Sequence, residues 1–141
     1  MSEVDSVIAA LNAFVPSDND VDNMHRLYQI FEGFRSQNGR ERAAPAILAL
    51  LERFPEANFG SPGPLVHELE AMSEYEPLLQ ESLRRQPTDL TVWMVNRILN
   101  ANQSSQQREL WLSALIQAAQ HPRSSKTAAQ SALEFLSYQS A

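Results

Sequence analysis

GSPGPLVHELEAMSEYEPLLQESLRRQPTDLTVWMVNRILN, residues 60–100, reads as three helices punctuated by proline. The Gly60–Gly63 cluster is a loop. Pro64 then suits the first turn of a helix running to about Ser73, where a missing N–H is harmless. Leu65, Leu69 and Met72 give that helix an apolar face. Pro77 opens a second helix, Glu76 to Gln86, with Leu78, Leu79 and Leu83 inside, and Pro87 closes it. Thr88 or Asp89 caps a third helix through about Ala101. Its stripe of Leu90, Trp93, Met94 and Ile98 is widened by Val92, Val95 and Leu99. A helix apolar most of the way round belongs between neighbours.

Working outward, the same reading holds on both sides. Val4, Val7, Ile8, Leu11 and Val15 recur at helical spacing, so residues 3–14 form a first amphipathic helix. Asp20 is expected to cap a second helix running to about Gln37, with Met24, Leu27, Tyr28, Phe31 and Phe34 inward and Asn38-Gly39 as its stop. A third spans about Glu41–Phe54, with Pro45 in its first turn and Ile47, Leu48, Leu51 and Phe54 buried. Beyond residue 101, Ser104 and Gln107 have capping-box spacing for a helix over Ser105–Gln120. Ser124 or Ser125 caps the last helix, which carries Ala128, Ala129, Ala132, Leu133 and Leu136. No bounded run of alternating apolar and polar residues indicates a strand.

One echo bears on architecture. PAILALLERFP (residues 45–55) and PLLQESLRRQP (residues 77–87) align at an offset of 32 residues, each a helix with Pro near its start and Pro at its stop. That period lies in the range of helical-hairpin repeats. The expected fold is all-α, about eight short antiparallel helices in a HEAT/armadillo-like superhelical stack, with an orthogonal helix bundle as the alternative. A chain of 141 residues is expected to form a single helical domain over 1–141.

Composition narrows the function. With no Cys, disulfides and thiolate metal sites are ruled out. The acidic N-terminal segment does not read as a signal peptide, and no apolar run approaches the ~18 residues of a membrane span. A cytoplasmic location and no membrane partner are therefore expected. Charge is unevenly spread: residues 1–81 hold 14 acids and five Arg, and residues 82–141 hold three acids, five Arg and one Lys. Between Arg53 and Arg84 there is no Lys or Arg at all. Such a field repels phosphate backbones and attracts basic proteins, so no nucleic-acid partner is expected. The basic half, with Arg84, Arg85, Arg97, Arg108, Arg123 and Lys126, is too sparse to reverse that.

No catalytic set emerges. His67-Glu68 begins like a zinc-peptidase helix, but position 71 is Ala where the second His is needed. His67 and Glu70 share a face at i, i+3, and no second such pair completes a metal site. His121 stands at a helix end before Pro122, a structural place. There is no nucleophile elbow and no glycine-rich phosphate loop. The acids sit on polar helix faces, whereas catalytic carboxylates need burial to shift their titration. The chain is expected to be no enzyme and to hold no metal or cofactor.

What remains is the acidic block from Glu68 to Glu76, where carboxylates surround an aromatic residue. Tyr is a common interface anchor, and carboxylates at a rim speed association with a basic partner. The expected partner-binding residues are Glu68, Glu70, Glu74, Tyr75 and Glu76. The run Gly60-Ser61-Pro62-Gly63-Pro64-Leu65-Val66-His67, with Thr91-Val92-Trp93-Met94-Val95-Asn96-Arg97-Ile98-Leu99-Asn100 downstream, resembles small all-helical immunity proteins of bacterial polymorphic toxin systems, of the contact-dependent growth inhibition and Rhs type. The resemblance covers about residues 20–101. It implies a protein that neutralises a cognate toxin C-terminal domain, often a basic nuclease, as a monomer in a 1:1 complex. It also suggests that Asn96 and Arg97 are hydrogen-bonding struts between helices, with partner contact as the alternative. The competing functional class is a helical-repeat scaffold or adaptor in another intracellular complex.

Overall fold

A computed structural model describes residues 2–101 and 103–140. The chain is all-helical. Among the described residues eight α-helices form and no strand. Contacts group the chain into two compact units, Met1–Leu78 and Leu79–Ala141, with the boundary inside the fifth helix.

The first unit holds α1 (Glu3–Ala13), α2 (Asp20–Ile30), two 3-10 turns (Phe34–Ser36 and Arg40–Ala43), α3 (Ala44–Arg53), α4 (Gly63–Glu70) and the start of α5 (Tyr75–Arg85). Here α1 packs on α2, α3 and both 3-10 turns, and α4 lies on α2 and α3. Leu11, Leu27, Phe34, Ile47, Leu51 and Leu65 are sealed from solvent. Each such side chain contributes roughly 1.5–3 kcal/mol on burial. Ser2 caps α1 in a reciprocal box with Asp5. Arg42 reaches back from the second 3-10 turn to Asp5, with Nη1 3.0 Å from Oδ1.

Four expectations need correction here. α2 ends at Ile30, not near Gln37, because Gly33 turns left-handed at φ +74° and the chain continues as a 3-10 turn. Its N-cap is Asn19, whose Oδ1 accepts the Asp22 N–H at 3.0 Å. Asp20 instead accepts a bond from Asn58. Val15 is 61% exposed and Tyr28 54% exposed. The chain leaves the helix at Ala13, and extended Phe14 turns inward, its ring under the Arg26 guanidinium at 4.2 Å and 6.3 Å from Phe59.

Two polar details hold the first unit's loops. Buried Asn23 accepts from the Ser17 N–H (2.7 Å) and hydroxyl (3.2 Å) and donates to the Ser17 carbonyl (2.8 Å), closing the α1–α2 loop. Gly60 adopts φ +117°, and a Cβ there would lie 2.4 Å from Gly63 Cα. The Ser61-Pro62 peptide is cis. The glycine density in this cluster thus answers a close backbone approach.

The second unit holds the rest of α5, α6 (Asp89–Asn100), α7 (Ser105–Gln120) and α8 (Lys126–Ser140). The expected caps form: Thr88 exchanges bonds with Thr91, Ser104 accepts the Gln107 N–H, and Ser125 accepts the Ala128 N–H. As its wide apolar stripe requires, α6 is bedded between α7 and α8. It buries Val92, Met94, Val95, Ile98 and Leu99, with Trp111 and Leu115 of α7 opposite. Trp93 is only half buried, with Arg97 over its ring at 5.6 Å. Asn96 accepts from Gln139 Nε2 of α8 at 2.8 Å, a bond between helices as the strut reading expects. Both echo helices exist locally: α3 has Pro45 in its first turn and Pro55 just past its end, and α5 has Pro77 and Pro87 in corresponding places.

Gly60→Ala is expected to cost about 1–3 kcal/mol through strain at a left-handed position. Asn23→Ala, which strands the Ser17 backbone groups, is expected to cost a similar ~1–3 kcal/mol. Urea midpoints at constant slope check both. The Arg42 hydrogen bond, then Ser2, hold the exposed Asp5 carboxyl below its usual 3.8. That stabilisation is whole above pH 3.8 and is lost as pH falls through the lower folded value. Asp5→Asn is expected to flatten the fall of the urea midpoint in that acid window.

Candidate functional site

The acidic block lies at the junction of α4 and α5, within the first unit. After α4 ends at Glu70, the Ala71 N–H bonds the His67 carbonyl and the Met72 N–H bonds Leu69. The Met72 side chain is buried and anchors the connection. Ser73 and Glu74 then cross the gap on the surface, and α5 begins at Tyr75.

The five residues expected to bind a partner do not share one environment. Glu68 is clasped: Arg35 donates from Nε (2.9 Å) and Nη2 (3.1 Å) to its two carboxylate oxygens. The Glu68 side chain is 13% exposed against 55% for Arg35. The Glu68 hydrogen bond, reinforced by its charge, raises the Arg35 guanidinium above its usual value. Glu70, Tyr75 and Glu76 are half buried. Glu74 is exposed, and it is a non-glycine residue held left-handed at φ +59°.

Local chemistry explains some of these placements and leaves others to be explained. Glu76 sits in the first turn of α5, where the helix dipole favours a carboxylate. Glu70 is the last residue of α4, where the dipole disfavours one. Arg40 offsets part of that cost, donating from Nη2 to the Ala71 carbonyl at 3.1 Å and from Nη1 to the Arg35 carbonyl. Glu74 occupies a conformation that costs an ordinary residue roughly 1–2 kcal/mol and suits Gly or Asn.

Arg35 and Arg40 are the contributors that sequence reasoning missed. Each lies more than 30 residues from its acceptor in the block, so no local pattern links them to it. Four carboxylates, Glu68, Glu70, Glu74 and Glu76, therefore stand with two guanidiniums. The ridge is less negative than the sequence alone indicates, and its outermost charge is Glu74. His67 is exposed beside it. Among the described residues no three His, Asp or Glu side chains converge as metal ligands, and no helix is long and apolar enough to cross a membrane.

Comparison with known protein families, curated proteins and solved structures produces no match to this chain.

Glu74→Gly is expected to raise stability by up to about 1 kcal/mol, since relief of the left-handed strain exceeds the added chain entropy. Arg35→Ala is expected to cost no more than about 1 kcal/mol, because its ion pair is largely solvated. Chemical denaturation of the two variants beside the parent chain checks both signs.

Proposed function

We propose that this chain works by binding alone, as an immunity protein whose α4–α5 junction meets a basic toxin domain. The observation that carries the reading is Glu74, a carboxylate presented at the surface from a backbone conformation that glycine would occupy more stably. The start of α5 favours a carboxylate just before Tyr75, glycine would fit the backbone better, and recognition of a cationic surface would reward the charge that stands there. Glu70, the last residue of α4, adds a carboxylate to the same junction and agrees with the same reading. So does the absence of Lys and Arg between Arg53 and Arg84, as does the resemblance of the Gly60–His67 and Thr91–Asn100 runs to immunity proteins of toxin systems.

The mechanism would be stoichiometric. The junction would cover the toxin's cationic substrate groove, its carboxylates taking the place of the phosphates that the groove binds. Long-range attraction would make association fast and strongly salt-dependent. Tyr75, between Glu74 and Glu76, would supply apolar contact at the centre of the patch. The partner would be the toxin's C-terminal domain in a 1:1 complex.

Co-expression with the C-terminal domain of a toxin gene lying beside this chain's gene tests the function. Restored growth is expected; no such gene, or no rescue, overturns the reading. The surface is tested by the combined variant Glu70→Lys, Glu74→Lys and Glu76→Lys. Its stopped-flow association rate at low salt is expected to fall by about tenfold or more, with helical content unchanged. An unchanged rate places the interface elsewhere.

A further inference from the structure

The second unit carries a groove with chemistry opposite to that of the acidic junction. α7 is longer than its buried face requires: Trp111, Leu115 and Ala118 point inward, while Leu110 and Ile116 are each 47% exposed. Leu110, Ala114, Gln117 and His121 recur at spacings of three and four, so they line one side of α7. Between that side and the end of α5 lies a groove of about 330 Å³. Leu83, Leu110 and Ala114 form its apolar part, and Arg84, Gln117 and His121 are polar groups along it.

One end of the groove is set by hydrogen bonds. The Arg123 N–H donates to His121 Nδ1 at 3.0 Å, so Nδ1 is an acceptor. The ring proton therefore sits on Nε2, which donates to the Arg84 carbonyl at 2.6 Å. Gln86 Nε2 donates to the Arg123 carbonyl. These bonds bring the end of α5 and the α7–α8 loop together and gather Arg84 and Arg123 at one place. The Arg84 and Arg123 guanidiniums make no hydrogen bond or ion pair among the described residues. Glu81 stands one turn earlier on α5 and leaves the cluster net positive.

We propose that this groove docks a peptide segment that carries apolar side chains next to carboxylates. An apolar side chain would lie against Leu83, Leu110 and Ala114, carboxylates would meet Arg84 and Arg123, and the Gln117 amide would bond the peptide backbone. The choice of occupant follows from the pairing of surfaces. A phosphate backbone needs a longer run of bases and gains nothing from an apolar floor. The volume is at the small end of ligand pockets and suits one or two side chains better than a large cofactor. Charge complementarity excludes a basic segment. The site does not depend on the junction in the first unit, and it would take a partner of opposite charge.

The test titrates the full 15N-labelled chain with an eight-residue peptide of alternating leucine and glutamate. Shifts are expected at the backbone amides of Leu83, Leu110, Ala114 and Gln117. The double variant Arg84→Glu, Arg123→Glu, at two exposed positions, is expected to weaken binding roughly tenfold while leaving the helical spectrum intact. Ala114→Trp, which fills the groove, is expected to abolish the shifts. Glu74→Lys is expected to leave them unchanged, which separates this site from the acidic junction. The proposal is overturned if the shifts are absent or lie elsewhere, if the double variant binds as well as the parent, if a leucine–lysine peptide moves the same amides equally, or if an eight-nucleotide oligothymidylate competes as strongly as the acidic peptide.

Discussion

Closing the ends of short helices is the constraint on which the rest of this structure depends. The eight α-helices of the described residues, 8 to 16 residues long, must each satisfy up to four N–H groups at one end and four carbonyls at the other. At five N-termini the solution is a local side chain, with Ser2, Asn19, Thr88, Ser104 and Ser125 each accepting a bond from the first turn. At several C-termini it is distant. Arg53 donates to the Leu11 carbonyl of α1, and Arg40 to the Ala71 carbonyl after α4. Arg108 of α7 donates to the Gln139 carbonyl near the end of α8. A guanidinium at such a position satisfies an exposed carbonyl and complements the negative end of the dipole. The same bonds tie together elements of one unit that are distant in sequence.

This use of arginine shapes the charge that each unit presents. In the first unit, Arg42 is taken by Asp5 and Arg35 by Glu68, while Arg40 and Arg53 are taken by carbonyls. The bases are consumed internally, and acids such as Glu74 remain outward. In the second unit Arg108 is consumed in the same way, but Arg84 and Arg123 are brought together by bonds from their backbone carbonyl and N–H groups. Their side chains are left to the surface. Opposite surface signs thus arise from which part of each arginine the fold uses.

The fold was largely legible because its signals are short-ranged. Proline near a helix start or just past its end, a Ser or Thr three residues before the N–H that it caps, and apolar residues at spacings of three and four all lie within one or two turns. These place the helices, and they correctly put Val95 and Leu99 of α6 in the core. Two of the errors came where one residue overrode a longer pattern. Gly33 turned left-handed and cut α2 short, and the chain left α1 one residue early, so that Phe14 went inward and Val15 outward.

The candidate site was half legible. The sequence by itself determined the all-helical class, most of the helix ends and the run of acids without a base, because each depends on neighbours in the chain. Tertiary structure alone decided which of those acids face outward. Glu68 is closed by Arg35 across 33 residues, and Asn96 meets Gln139 across 43. Partners at such separations are chosen by how helices pack, which no local periodicity encodes. The groove beside α7 belongs to the same class. Leu110 is next to buried Trp111 in the chain, and only the tertiary arrangement leaves it 47% exposed on the groove.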